Sequence, residues 1–279
     1  MKKKKQKFGL VILLVGILLF LFPFVSMIKD DLQQHATEIA YQRYQKTHQQ
    51  KLQKQRQALE QTTLSGTIQD IFTQKQVEAA KQTPYTSLVD TKKTVGYMSI
   101  PALGQHFDLY LDADYDKLAK GVATLVGSSA PLGIRGQRPI IAGHRINYNG
   151  MSFYFLSNLK KGDKIYIHFL DKKLEYEVSG SEVIDEYDND KLSPVAGEDM
   201  ITLMTCVNAP NYDKRLLVNA KRVPKESKAP QNLLAYFVAD KQIPLTFKLQ
   251  RLLPYFLVLI GIGIFLIFLK QFFNLYKKD

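Results

Sequence analysis

Two long apolar runs bracket the chain, and the stretch between them follows a different rhythm. Phe8 to Ile28 and Leu252 to Leu269 contain no charged residue. At ~1.5 Å per helical residue, each is long enough to cross a hydrocarbon layer of ~30 Å. After the first run the pattern turns polar and rich in Gln, with Ile28, Leu32, Ala36 and Ile39 at helical spacing on one face. From Gln45 to Gln57 Leu52 alone is strongly apolar, which predicts a solvated or stalk-like helix. A second helical stretch is expected over Ile68 to Lys81, after a turn at Ser65-Gly66.

From Val95 the chain breaks into short apolar runs separated by Gly, Pro, Asp and Asn. Strands are predicted at Val95–Ile100, Phe107–Tyr110, Arg138–Ala142, Lys164–Phe169, Lys173–Asp185, Met200–Thr205 and Arg215–Val223. Asp171-Lys172-Lys173 is the expected hairpin turn between two of them, and Ala113–Gly121 and Tyr154–Leu159 read as short helical inserts. Many short strands with few helices point to an all-β barrel or sandwich. Pro224 to Pro230 is a polar, Pro-bounded connection leading to the second apolar run.

Charge sharpens the membrane reading. The formal net charge is +12. Much of that excess lies in Lys2, Lys3, Lys4, Lys5 and Lys7 before the first run and Lys270, Lys277 and Lys278 after the second. This is a topology signal and not a nucleic-acid footprint. It places both ends in the cytoplasm and the middle of the chain outside, against the weaker contrary pull of Lys29, Lys248 and Arg251. Pro23-Phe24-Val25-Ser26-Met27 lacks a small-x-small cleavage pattern, so the first run is expected to stay as an anchor. The single Cys forms no internal disulfide; an unpaired thiol facing outward is either a buried small hydrophobe or a chemical tool.

Three features in the β region carry chemistry. Pro139-Ile140-Ile141-Ala142-Gly143-His144-Arg145 is a strand running into a His. Thr202-Leu203-Met204-Thr205-Cys206 is a strand ending in the Cys, and Arg215-Leu216-Leu217-Val218 is a strand opening with Arg. Acyl transfer by a thiol needs an acid/base and a donor for the developing oxyanion, and His and Arg are suitable types.

The Thr-Leu-x-Thr-Cys pentad ending at Cys206 resembles that of sortases, the cysteine transpeptidases of Gram-positive cell surfaces. Gly143-His144-Arg145 and Arg215-Leu216-Leu217-Val218 are similar to the family's His and Arg neighbourhoods. Gly96-Tyr97-Met98-Ser99-Ile100-Pro101 and Gly127-Ser128-Ser129-Ala130-Pro131 resemble earlier landmarks. The resemblance implies an eight-stranded β-barrel with Cys206 as nucleophile, His144 as general acid/base and Arg215 stabilising oxyanion or substrate. The substrate it implies is a Leu-Pro-x-Thr-Gly sorting signal, and no cofactor. The second apolar run is similar to that of the pilus-building, class C members, in which a lid with Asp-Pro-aromatic plugs the site. Here the corresponding residues are Asp70-Ile71-Phe72, so Asp70 and Phe72 are the candidate lid, and loss of the Pro is expected to let it open more readily. Thr83-Pro84-Tyr85 is a weaker alternative.

The expected organisation is a basic tail and span over 1–28, a helical stalk with the candidate lid over 29–94 and the barrel over 95–224. A linker over 225–251 and a C-terminal span and basic tail over 252–279 complete it. Expected partners are the cytoplasmic membrane, pilin or surface-protein sorting signals, and an amine acceptor, either a pilin Lys or a cell-wall precursor. A housekeeping or accessory sortase and a non-catalytic pilus assembly scaffold are the competing readings. His35 and His48 are expected to be solvated, His106 to lie in a loop and His168 in a strand. No Cys/His spacing suggests zinc. Asp185, Glu186, Asp188 and Asp190 read as a solvated acidic loop, and Tyr148, Tyr154 and Tyr212 receive no role.

Overall fold

The computed structural model describes residues 2–62, 68, 70–73, 84–146, 153–224 and 245–277. The chain divides into two compact units, residues 1–33 with 244–279, and residues 34–243.

The first unit is built on helix. α1 runs over Lys2–Thr47 and the last helix, α4, over Leu245–Lys277. Their apolar stretches, Lys5–Lys29 and Leu252–Leu275, are each long enough to span a membrane. Phe8, Leu19, Phe22, Leu259 and Ile267 all point outward from them. A helix apolar on its outer faces has no water-compatible surface, which suits a lipid surrounding. Most of the expected linker, up to residue 244, lies outside the described residues.

The second unit is a closed eight-stranded barrel, as expected. Its strands are β1 (Gly96–Ile100), β2 (Gln105–Tyr110), β3 (Val122–Thr124), β4 (Ile140–Ala142), β5 (Lys164–Phe169), β6 (Lys172–Asp185), β7 (Met200–Val207) and β8 (Lys214–Arg222). Their order round the barrel is β1-β2-β3-β4-β7-β8-β6-β5. The β2–β3 and β4–β7 pairs are parallel and the other pairs antiparallel. β3 was not among the strands expected from the sequence. A short helix, α3 (Tyr115–Leu118), precedes it, capped by Asp114, whose carboxylate accepts from the Lys117 N–H at 2.8 Å.

Alternation along the strands divides the core in two. Met98, Phe107, Ile167, Leu203 and Val218 belong to one apolar cluster; Leu118, Ala123, Ile140, Ala142, Met204 and Leu217 belong to a second. Successive residues thus feed opposite faces of the sheet. Arg138, 5% exposed, binds Thr202 and Asn219 at 2.8 Å each and the carbonyls of Lys191 and Ser193. It ties together β7, β8 and the start of β4, which keeps the scaffold rigid.

Four expectations change. Helix α2 (Gln49–Glu60) is not a solvated stalk: it buries Leu52 and Leu59 in the first apolar cluster, while Arg56 pairs with Asp171 at 2.8 Å. Two Leu at one helical spacing suffice to dock a polar helix. The helix expected from Ile68 begins instead as a turn at Ile71–Thr73, and the stretch 74–81 lies outside the described residues. His106 sits on β2, not in a loop, with Nδ1 3.0 Å from a Glu38 carboxylate oxygen. The hairpin turn falls one residue early, on Leu170-Asp171, with Leu170 in the left-handed region.

Candidate active site

Register brings the three candidate side chains into one row. β4 and β7 run parallel with Ala142 beside Met204, so two residues further on His144 lies beside Cys206. Hydrogen bonds continue that register past β4: the Gly143 N–H donates to Met204 O (3.1 Å) and the Thr205 hydroxyl to Gly143 O (2.8 Å). Across the antiparallel β7–β8 ladder, Cys206 faces Arg215. His144, Cys206 and Arg215 therefore occupy consecutive strands at one end of the barrel.

Local sequence explains how each is held. A Cβ on Gly143 would lie 2.8 Å from the Phe153 ring, so only glycine lets that buried ring pack under the His. The Phe153 N–H donates to His144 O at 2.8 Å. The Tyr115 ring stacks on His144 with centroids 6.0 Å apart. Burial pushes the His144 imidazole below its ordinary pKa.

Arg215 is 1% exposed and its guanidinium is engaged on every nitrogen. Nε donates to Asp70 Oδ2 at 2.6 Å, Nη2 to Glu186 Oε2 at 2.9 Å, and Nη1 to the carbonyls of Tyr212 (2.6 Å) and Lys214 (3.1 Å). The thiol of Cys206 is pushed up to about 11, chiefly by burial, with Arg215 pulling it down and Asp70 and Glu186 pushing it up. Burial thus favours the neutral form of both Cys206 and His144.

The segment 70–73 lies directly on this row. The Phe72 ring centroid is 5.8 Å from that of His144, and Arg215 Cζ is 5.7 Å from the same ring. The Asp70 carboxylate also accepts from the Phe72 N–H (2.9 Å), and Tyr115 donates from its hydroxyl to Ile71 O (3.2 Å). Ile71 is 6% exposed within the second apolar cluster. Burial of Ile71 is worth on the order of 2 kcal/mol to the seating of this segment. Tyr85, the aromatic of the weaker alternative, is buried in the barrel core and accepts from the Ala130 N–H at 3.0 Å; Thr83 lies outside the described residues.

A Sortase domain family model matches residues 98–223. A solved Sortase C from Streptococcus pneumoniae, described in terms of catalysis and pilin substrate specificity, is 31% identical. That match covers 64% of this chain and 91% of that one, with a TM-score of 0.57. The chain belongs to the sortase family. The pilus-related Sortase C of Group B Streptococcus is 29% identical over 66% of this chain and 95% of its own, with a TM-score of 0.59. Sortase A of Bacillus anthracis is 33% identical over 142 residues, or 50% of this chain and 65% of that protein's length.

Several residues of this sortase site carry no signal in the sequence. Glu186 belongs to the acidic group expected to be solvated, yet it pairs with Arg215, and its neighbour Asp185 pairs with Lys214 at 3.0 Å. Tyr115 lies in a helical insert and Ile71 where the family's Pro would stand. Arg145 lies over the Tyr154 ring at 5.7 Å, while Tyr212 supplies a carbonyl to Arg215. Tyr148 is outside the described residues. Among the described residues no cluster of His, Cys, Asp and Glu is arranged to hold a metal.

Proposed function

We propose that this sortase is a membrane-anchored cysteine transpeptidase, its barrel outside the cytoplasmic membrane and both termini inside. It cleaves a Leu-Pro-x-Thr-Gly-like sorting signal between Thr and Gly and passes the acyl group to a pilin Lys during pilus polymerisation. The observation that carries this reading is the row of His144, Cys206 and Arg215 across β4, β7 and β8.

As the Cys206 thiol gives its proton to His144, the sulfur attacks the Thr carbonyl, forming a C–S bond and a tetrahedral oxyanion that Arg215 stabilises. Collapse breaks the Thr–Gly C–N bond, and His144 gives its proton to the departing amine. The acceptor amine then attacks the thioester, His144 takes a proton from it, and Cys206 leaves. Asp70 and Phe72 form a lid: Asp70 occupies Arg215 Nε and Phe72 covers His144, so the segment must lift before a sorting signal enters.

Three features favour the pilus type: the second apolar helix, this lid, and the similarity to solved sortases C described as pilus-related or in terms of pilin specificity. The similarity to a sortase A keeps anchoring to a cell-wall precursor as the second reading. Immunoblots of cell-wall extracts from native and Cys206→Ala cells separate them. Loss of a high-mass covalent ladder is the expected result. An intact ladder with loss of wall-attached monomer moves the assignment to anchoring; no change in either leaves a redundant enzyme or a non-catalytic scaffold, which thiol labelling of Cys206 separates.

A further inference from the structure

Glu186 lies outside the His–Cys–Arg row, yet it holds Arg215 from an element unrelated to the lid. It follows directly on β6, whose last ladder pair is Asp185 with Lys214. The Glu186 N–H donates to Asp213 O at 3.1 Å and extends that pairing one step. The side chain is thus set by the edge of the barrel. Asp70, in contrast, comes from the turn at 70–73.

The partners of Arg215 then fall into two groups. Nη1 is held by carbonyls of its own neighbourhood, Tyr212 and Lys214, and Nη2 by Glu186 from the sheet edge. Nε is held by the lid carboxylate. Lifting the lid frees Nε and leaves the other contacts in place. An enclosed guanidinium losing one of two carboxylates would be free to turn, and would be an uncompensated buried charge, if the second were absent. A carboxylate matches the planar, directional donors of Arg and fixes orientation as well as charge.

We infer that Glu186 is a positioning residue for the transfer reaction, holding Arg215 through Nη2 so that Nε is the donor presented to the substrate oxygen once Asp70 withdraws. The inference rests on the proposed transpeptidase activity. Glu186 also carries a cost to reactivity, because its charge opposes the thiolate that Arg215 favours. Orientation and charge therefore separate by substitution. Glu186→Gln keeps an acceptor and the side-chain shape but drops the charge; Glu186→Ala drops both.

The test uses the full chain in detergent micelles carrying Asp70→Ala, so that the site is open. Transfer of a Leu-Pro-x-Thr-Gly peptide to a small amine gives kcat and KM, and iodoacetamide alkylation of Cys206 across pH gives a readout independent of substrate. Glu186→Ala is expected to lower kcat about tenfold to a hundredfold, as for a misaimed catalytic donor, with KM within about twofold. Glu186→Gln is expected to retain kcat within about threefold. Both are expected to move the alkylation midpoint to lower pH. An unchanged kcat in the Ala variant, or an equal loss in the Gln variant, overturns the positioning role. If the Ala variant does not fold, the Gln variant decides: an unmoved alkylation midpoint or a kcat loss beyond threefold overturns it. A parent protein that alkylates normally but transfers no peptide defeats the transpeptidase reading instead, and the Glu186 contact then stands or falls on the alkylation midpoint.

Discussion

At the scale of single residues, the chemistry of the site is governed by how the charge on Arg215 is shared. The guanidinium lowers the Cys206 pKa, while Asp70 and Glu186 raise it, on top of a larger upward push from burial. Removing Asp70 takes away one opposing charge and opens the site to water, and both changes act downward on that pKa. Asp70→Ala should therefore raise the thiolate share at any pH below about 11. Well below the midpoint, the thiolate share rises tenfold for every tenfold rise in the acidity constant of the thiol. The expected outcome is alkylation of Cys206 at pH 8 about tenfold faster than in the native chain, with the rate–pH curve moved to lower pH; equal rates would refute the lid. His144, Cys206 and Arg215 stood out in the sequence as candidates because the motifs around them resemble those of sortases, and the strand register sets them in neighbouring strands. Glu186 did not, because an acidic residue in an acidic loop looks the same whether solvated or paired. Its role depends on the β6–β8 register, which becomes known only when the barrel closes.

Among the elements, the longer strands were legible in the sequence, while of the two three-residue strands β4 fell inside an expected run and β3 did not. β5 matches its expected bounds, and β6 and β7 differ by one or two residues at an end. β3, with three residues, and the turn at 71–73 are set by tertiary partners. The polar face of α1 is another case. From Glu38 to Gln45 it docks on the outer side of β1, β2 and β5: Glu38 reaches His106, Gln42 donates to the Tyr97 hydroxyl at 2.9 Å, and Tyr41 and Gln45 donate to the carbonyls of Val95 and Leu170. His168, on β5, stacks on Tyr97 with centroids 4.3 Å apart and faces Lys173 across the β5–β6 ladder. Burial, then Lys173, lower its pKa to about 4, against a smaller opposite pull from Glu38. The folded state therefore holds fewer protons than the unfolded state between about pH 4 and the ordinary 6.5. Stability from this group is present above pH 6.5 and is lost as pH falls towards 4, by on the order of 3 kcal/mol at most. Thermal unfolding of native and His168→Phe chains at pH 7 and pH 5 checks this. The Phe keeps the stack on Tyr97 and should narrow the gap in Tm between the two pH values; an equal acid-side loss in both chains would place the titrating group elsewhere.

Taken as a whole molecule, the chain carries a barrel between two apolar helices in sequence, and the charges flanking those helices are what the proposed placement of the barrel outside the membrane rests on. Lys2, Lys3, Lys4, Lys5 and Lys7 lie before the first and Lys270, Lys277 and Lys278 after the second. Clustered Lys near a span end resists transfer across the membrane, and here both clusters act in the same sense. The inner flanks carry Lys29, Lys248 and Arg251, a weaker opposing set. With one native Cys, the arrangement is open to direct labelling. In a Cys206→Ala background, Lys4→Cys, Ala196→Cys and Asp279→Cys each place a single thiol, the middle one on an exposed stretch before β7. In intact cells stripped of wall, a membrane-impermeant maleimide should label Ala196→Cys alone, and the two terminal variants only after permeabilisation. Labelling of Asp279→Cys in intact cells would make α4 something other than a span. If Lys4→Cys yields a shortened chain without the new thiol, the first apolar run is a cleaved signal, and α4 is then the anchor that keeps the barrel at the membrane.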